Sequence, residues 1–327
     1  MNRTGAAAIV LACASVASLA TALASGSLPL GFTAVFDSIA FPASGIVHDV
    51  IWNLRAPRAF AAYACGALLA VAGVMLQVLL RNALADPYVL GVSGGASVGA
   101  LLAIAAGASA AMTNAYALLG AIAALCIVFG LTWRSAEWNV YRLLLTGVVL
   151  SAGLSALISL ALVLAPEAQV KGMLFWLMGD LSQAGSAVPS WIVLGVVAAL
   201  GIVAANQLDL LALGELKARS LGVGVGGLKL AVFGAAALAT VAAVVLGGAI
   251  GFIGLMAPHA LRLAGVHRHR ALLPLAAMLG GTLLTVADTA ARSVWAPQQL
   301  PVGVVTALIG VPAMLLLLSR PRDASLH

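Results

Sequence analysis

Between residues 5 and 319 the chain runs through ten apolar stretches, near 5–25, 57–80, 92–110, 115–133, 142–165, 190–206, 229–249, 251–265, 271–291 and 302–319. A run of about 20 apolar residues makes a helix long enough to cross the hydrocarbon core of a bilayer. Lipid cannot satisfy a backbone amide or carbonyl, so such runs fold as helices that bond internally. Composition points the same way: 63% of the residues are hydrophobic and 8% charged, whereas soluble domains carry about a quarter charged residues. This excludes a soluble enzyme and a disordered chain. The 327 residues accommodate about ten spans with short loops and leave no room for a separate catalytic domain. The expected fold is an all-α polytopic membrane protein of about ten transmembrane helices, forming one transmembrane domain over residues 1–327. The stretch 251–265 is short and carries His259 and Arg262. It reads as a full span, a half-span or a broken helix, the last two being tolerated only against protein or water.

The charges orient the spans. Arg3, Arg81, Arg134, Arg142, Lys217, Arg219, Lys229, Arg268, Arg270, Arg320 and Arg322 fall on one side of a ten-span arrangement. The other side holds Arg55, Arg58, Lys171 and Arg292, among Asp37, Asp49, Glu167 and Asp180. The positive-inside bias places the first set, and with it both termini, in the cytoplasm. Arg3 and the small residues of Thr21–Ser27 resemble a signal peptide, but the apolar run between them exceeds the usual h-region, so an uncleaved first span is expected. Cys13, Cys65 and Cys126 sit singly in apolar runs, as buried small hydrophobes rather than a disulfide or zinc framework.

No Ser-His-Asp arrangement, phosphate loop or HExxH is present, so the informative residues lie at span ends. Residues 26–56 form an outer segment closing on Arg55-Ala-Pro-Arg58. Residues 166–189 read as an outer interfacial or re-entrant segment anchored by Trp176. Residues 207–228 form the most polar inner loop, where helix formers from Glu215 are followed by Gly222, able to end a helix. This loop is either an ordinary connector or a docking surface for a soluble partner. Arg55, Arg58 and Arg292 suit either capture of carboxylates on an outer partner or snorkelling to headgroups. Asp288 lies inside an apolar run, in i,i+4 spacing with Arg292, as a structural ion pair or a group on a transport path. His267-Arg-His-Arg270 reads as a solvated basic turn, since adjacent arginines oppose a bound cation. Gln77–Ser97, with Asn82, Asp86, Pro87, Gly91, Gly94 and Gly95, reads as a flexible inner turn able to gate the bundle.

Four blocks carry a family resemblance: Arg55-Ala-Pro-Arg58; Gly73 through Pro87 with Leu90-Gly-Val-Ser-Gly-Gly95; Gly251-Phe-Ile-Gly-Leu-Met-Ala-Pro-His259 with Arg262; and Ala287-Asp288 through Arg292 with Leu300-Pro-Val-Gly303. In this order and spacing the chain resembles the FecCD-type permeases, the membrane subunits of type II ABC importers for ferric siderophores, haem and cobalamin. The resemblance implies the type II importer fold, with ten helices per subunit, in the inner membrane of a bacterium. It implies a homodimer in lipid, two cytoplasmic ABC ATPase subunits and a periplasmic binding protein, with no nucleic acid. No cofactor is expected on this chain, and no enzymatic activity; ATP and Mg belong to the partner subunits.

By the same resemblance Glu215, Leu216, Lys217, Ala218, Arg219 and Gly222 form the ATPase-coupling loop, and Arg55, Arg58 and Arg292 meet acidic residues of the binding protein. Asn82 and Leu84 match one cytoplasmic gate. The other falls at Val140 and Tyr141, where cobalamin permeases carry small hydroxyl residues. Transport by alternating access is implied. Phe175-Trp-Leu-Met-Gly-Asp180 and Pro297–Gly303 look slightly more like cobalamin permeases than haem or siderophore ones. The alternative is an ion- or proton-coupled secondary transporter, which calls for several intramembrane carboxylates or midplane helix breaks in both halves.

Overall fold

The computed structural model describes residues 3–26, 30–41, 45–133 and 140–319, and among these there is no strand. Arg134, Arg320 and Arg322 of the basic set, and Ser27, lie outside the described residues, as do the side chains of Arg3, Val140 and Tyr141. Helices α1 (Arg3–Ala24), α2 (Phe32–Ala40) and α3 (Ile46–Asp49) come first. A π-helical turn, Val50–Arg55, then runs on into α4 (Ala56–Leu79). A 3-10 turn, Pro87–Leu90, leads to α5 (Val92–Ala105), α6 (Ala110–Trp133), α7 (Val140–Leu164), α8 (Glu167–Leu177) and α9 (Val188–Val203). The chain continues through α10 (Ala205–Ala212), α11 (Glu215–Ser220), α12 (Val225–Gly247), α13 (Ile253–Leu263), α14 (His269–Ser293) and α15 (Val302–Ser319).

Every predicted apolar run holds a helix, but not every helix is a full span. Among the described residues six are long and apolar enough to cross a membrane, and α9 with α10, bent by 65°, makes a seventh if taken as one. Helices α5 and α15 are shorter apolar helices. The 11 residues of α13 rise about 16 Å, roughly half the hydrocarbon core, so 251–265 is a half-span. The second run starts earlier than its hydropathy suggests. Ile46–Leu79 is one continuous helix of 34 residues, which places Arg55 and Arg58 within a helix rather than at the start of one.

Helix α4 is the core of the bundle, buried along nearly all its length and packed by α14, α12, α13 and α9. Small residues allow this, since without a hydrophobic drive in lipid helices associate by close backbone packing. At the α4–α14 crossing a Cβ on Gly66 would run into the Gly280 carbonyl, and one on Gly280 into that of Gly66. Gly95 and Gly120 stand in the same relation between α5 and α6. Gly94 and Gly95 therefore belong to a packed helix and not to a flexible turn, and of the three glycines in that stretch Gly91 alone holds a left-handed backbone, φ +74°. Cys65 is buried, but Cys13 and Cys126 are exposed on the outside of the bundle, which corrects the expectation that all three are buried.

Candidate functional site

The end of the bundle holding α10 and α11 is built around an elbow. Gly214, at φ +112°, joins the two helices in a conformation that disfavours any side chain. Ala218 is fully buried under α11, while Leu213, Leu216 and Leu221 are 60, 86 and 60% exposed. Lys217, Arg219 and Gly222 are exposed as well. Glu215 does not share this outward face: its carboxylate pairs with the buried Lys229 of α12. Six residues earlier, Asp209 accepts from the His269 backbone N–H at 2.9 Å and lies 2.6 Å from His269 Nδ1. Asp209 thus caps the positive end of α14 from a neighbouring helix. His269 is 3% exposed, which corrects the reading of His267–Arg270 as a wholly solvated turn. Among the described residues no group of three or more His, Cys, Asp or Glu could hold a metal.

Beside the elbow lies the turn after α4. Arg81 adopts φ +49°. Asn82 Oδ1 accepts from the Leu84 N–H at 2.9 Å, a self-closed turn, and Leu84 is 46% exposed. Asp86 caps the 3-10 turn by accepting from Tyr88 N at 2.8 Å. The Tyr88 hydroxyl donates to Ile250 O and accepts from Ile250 N, both at 2.9 Å. The turn is therefore pinned to the link between α12 and α13 and is not free. Helix α7 begins at Val140 and packs against Val89–Gly91 through Gly147, Leu150 and Ser151.

The opposite end of α14 holds the arginines. Arg58 donates Nε to both oxygens of Asp288 at 3.1 and 3.0 Å and Nη2 to Oδ1 at 2.8 Å. Its Nη1 reaches Gln299 Oε1 at 2.9 Å. Arg292 Nε stands 3.6 Å from Asp288, so the sequence-adjacent pair exists but Arg58, 230 positions away, is the principal partner. Arg55 donates to the Leu23 and Ala24 carbonyls at 2.8 and 2.9 Å, and Arg292 to those of Ser25 (2.9 Å) and Ala22. Two guanidiniums thus cap the negative C-terminus of α1. Arg55 and Arg292 are 6 and 8% exposed. Of the three arginines expected to face outward, Arg58 is the most exposed and still engages Asp288.

Two cavities complete the geometry. One of about 610 Å³ runs along α15, lined by Met178, Phe252, Val304, Leu308 and Pro312 with no charged side chain. The other, about 990 Å³, is a cleft between α8, the α5–α6 link and Pro297–Pro301. Phe175, Trp176 and Asp180 line it, and Trp176 packs against the core rather than standing free as an interfacial anchor. The segment after α8 folds onto the bundle, with Asp180 N donating to Gly247 O at 2.9 Å. Asp209, Lys229, His269, Tyr88 and Gln299 escaped the sequence reading. In the sequence Lys229 reads as one of the inner basic residues and His269 as part of a solvated turn, and no spacing in the chain links either to its partner.

The chain matches the description of the FecCD transport family over residues 11–320. It is 37% identical over 315 residues to the hemin transport system permease HmuU of Yersinia pestis, covering 91% of this chain and 90% of that one. It is 37% identical over 275 residues to the vitamin B12 import system permease BtuC of Escherichia coli (83 and 84%), and 38% identical over 282 residues to the ABC transporter permease YvrB of Bacillus subtilis (83 and 79%). A metal-chelate-type ABC transporter solved in an inward-facing conformation superposes with a TM-score of 0.82 at 30% identity, covering 95% of this chain and 97% of that one. The chain belongs to the FecCD transport family.

Proposed function

We propose that this chain is the permease subunit of an ATP-driven importer that carries a bulky metal chelate, cobalamin ahead of haem or a ferric siderophore, by alternating access. It works as a homodimer in the inner membrane of a bacterium, with two ATPase subunits at the α10–α11 elbow and a binding protein at the Arg58 end. The chain itself hydrolyses nothing. The observation that carries this reading is the apolar cavity along α15, which a single chain leaves open and which carries no charge. An apolar wall without charged side chains lets a large chelate pass without holding it, as a channel between two copies requires.

The elbow supplies exposed leucines flanked by Lys217 and Arg219, a surface with the apolar centre and charged rim of a protein contact. The turn at Asn82 and Leu84, with the start of α7 at Val140 and Tyr141, forms the gate next to it. At the other end docking draws on Arg58, while Arg55 and Arg292 hold the rim in shape through α1. The preference for cobalamin rests on the resemblance of Phe175–Asp180 and Pro297–Gly303 to cobalamin permeases; Phe175, Trp176, Met178 and Asp180 line one 990 Å³ cleft with Pro297–Pro301. The vitamin B12 and hemin permeases are equally similar at 37% and do not separate the substrates.

Uptake is measured in cells lacking their own permeases for all three chelates and supplied with this chain, its ATPase and its binding protein. Accumulation of labelled cobalamin is expected. Accumulation of hemin or a ferric siderophore alone overturns the substrate, and uptake that continues without the ATPase overturns the importer.

A further inference from the structure

The α10–α11 elbow is held to the bundle by two contacts that reach different spans, an ion pair and a hydrogen-bonded carboxylate–imidazole pair. Glu215, the first residue of α11, pairs with Lys229 of α12. Asp209 of α10 holds His269, the first residue of α14. Between the two contacts lies Gly214 at φ +112°, so α10 and α11 meet at a sharp backbone corner. The outer face of α11 shows exposed leucine, while its carboxylate turns inward to a lysine whose side chain is 6% exposed. Among the described residues Glu215 is the one carboxylate within 4.0 Å of the Lys229 ammonium. A buried cation with one partner is costly to separate from it, so α11 and the start of α12 move together. Asp209 binds both the backbone and the ring of His269, which fixes α10 to the start of α14 in the same way.

We propose that Lys229 and the Asp209–His269 pair are positioning residues for energy coupling: they convert displacement of the elbow into movement of α12 and α14. The proposal rests on the importer reading above. Helix α14 gives the second contact its reach, since its 25 residues rise about 37 Å and end in the Asp288 cluster. Lys229 itself is buried behind α11 and is not part of the exposed face of the elbow. Its loss therefore leaves the docking surface in place and removes only the link behind it.

The test uses the whole complex, permease with ATPase and binding protein, in proteoliposomes, measuring co-purification of the ATPase, ATP hydrolysis and chelate uptake in parallel. Lys229→Gln is expected to keep the ATPase bound and hydrolysing while uptake per ATP falls about tenfold, the size of an ordinary coupling free energy. Asp209→Asn is expected to do the same. The exchanged pair Glu215→Lys with Lys229→Glu is expected to regain most of the lost coupling, which a role in stability alone does not explain. Unchanged uptake per ATP in Lys229→Gln overturns the proposal, as does an exchanged pair that assembles and remains uncoupled. If both lysine variants fail to fold, the pair is a folding element and the proposal fails. Wild-type uptake that ignores ATP instead refutes the importer reading, whatever the variants do.

Discussion

Replacing Asp288 by asparagine keeps the shape of the side chain and removes the carboxylate that, among the described residues, pairs with Arg58 and Arg292. Asp288 is 2% exposed and accepts three contacts from Arg58 between 2.8 and 3.1 Å. The Leu23 and Ala24 carbonyls accept from Arg55, and those of Ser25 and Ala22 from Arg292, so the guanidinium that loses most of its contacts in the substitution is Arg58. Removing one member of a buried pair costs about 3–5 kcal/mol. The amide oxygen still accepts one bond and Gln299 still holds Nη1, which puts the expected cost at the lower end, about 3 kcal/mol. At about 2 °C per kcal/mol for a large chain, the unfolding midpoint of the detergent-purified permease falls by about 6 °C.

The decisive measurement is a double-mutant cycle followed by tryptophan fluorescence on heating. Arg58→Gln alone strands Asp288, leaving it Arg292 at 3.6 Å, and costs about the same 3 kcal/mol. The double variant places two neutral amides in contact and is expected to cost far less than the sum, with a coupling of about 2 kcal/mol or more. Additive costs, within about 0.5 kcal/mol, refute the claim that Arg58 and Asp288 form one unit.

Two further outcomes follow from single contacts. Tyr88→Phe removes the hydroxyl that satisfies both polar groups of Ile250, and is expected to destabilise the permease by about 2–6 kcal/mol, since each of the two buried orphans costs about 1–3; a change below about 1 kcal/mol on thermal unfolding contradicts the pinning of that turn. Gly66→Val drives a branched side chain into the Gly280 carbonyl and is expected to abolish monodisperse protein in gel filtration, whereas Gly234→Ala, with open space around it, is expected to purify normally.

Much of the architecture was legible because helix positions follow from hydropathy, and hydropathy is local. The spacing of Asp288 and Arg292 gave away one ion pair for the same reason. Arg58 could not be assigned to Asp288 in that way, since the two meet only because α4 and α14 cross at Gly66 and Gly280. Lys229 and His269 looked like loop charges because a residue at the first turn of a span reads the same whether it faces water or a neighbouring helix. Arg55 and Arg292 were expected to face a partner, since the sequence does not show that the open end of α1 lies between them. Gly94 and Gly95 suggested flexibility by composition, yet the helix they join uses them for close approach.

The break between α12 and α13 forms part of the wall of the apolar cavity. Gly248–Phe252 is non-helical, and it lies deep in the bundle: Gly247 stands against Cys65 and Gly254 against the Leu69 carbonyl, each with ten or more residues of the Ile46–Leu79 helix on either side. Irregular backbone at membrane depth survives only when protein covers it or water reaches it. Tyr88 satisfies Ile250, and Gly248 N donates to Val244 O at 2.8 Å. Ala249, Gly251 and Phe252 form part of the wall of the 610 Å³ cavity beside α15. The Gly251 carbonyl accepts from Ile253 N at 3.0 Å, and that of Phe252 from Leu255 N and Met256 N at 3.1 and 2.8 Å. The break thus makes most of its backbone hydrogen bonds within the chain, as irregular backbone away from water must, and it presents an apolar wall to the groove.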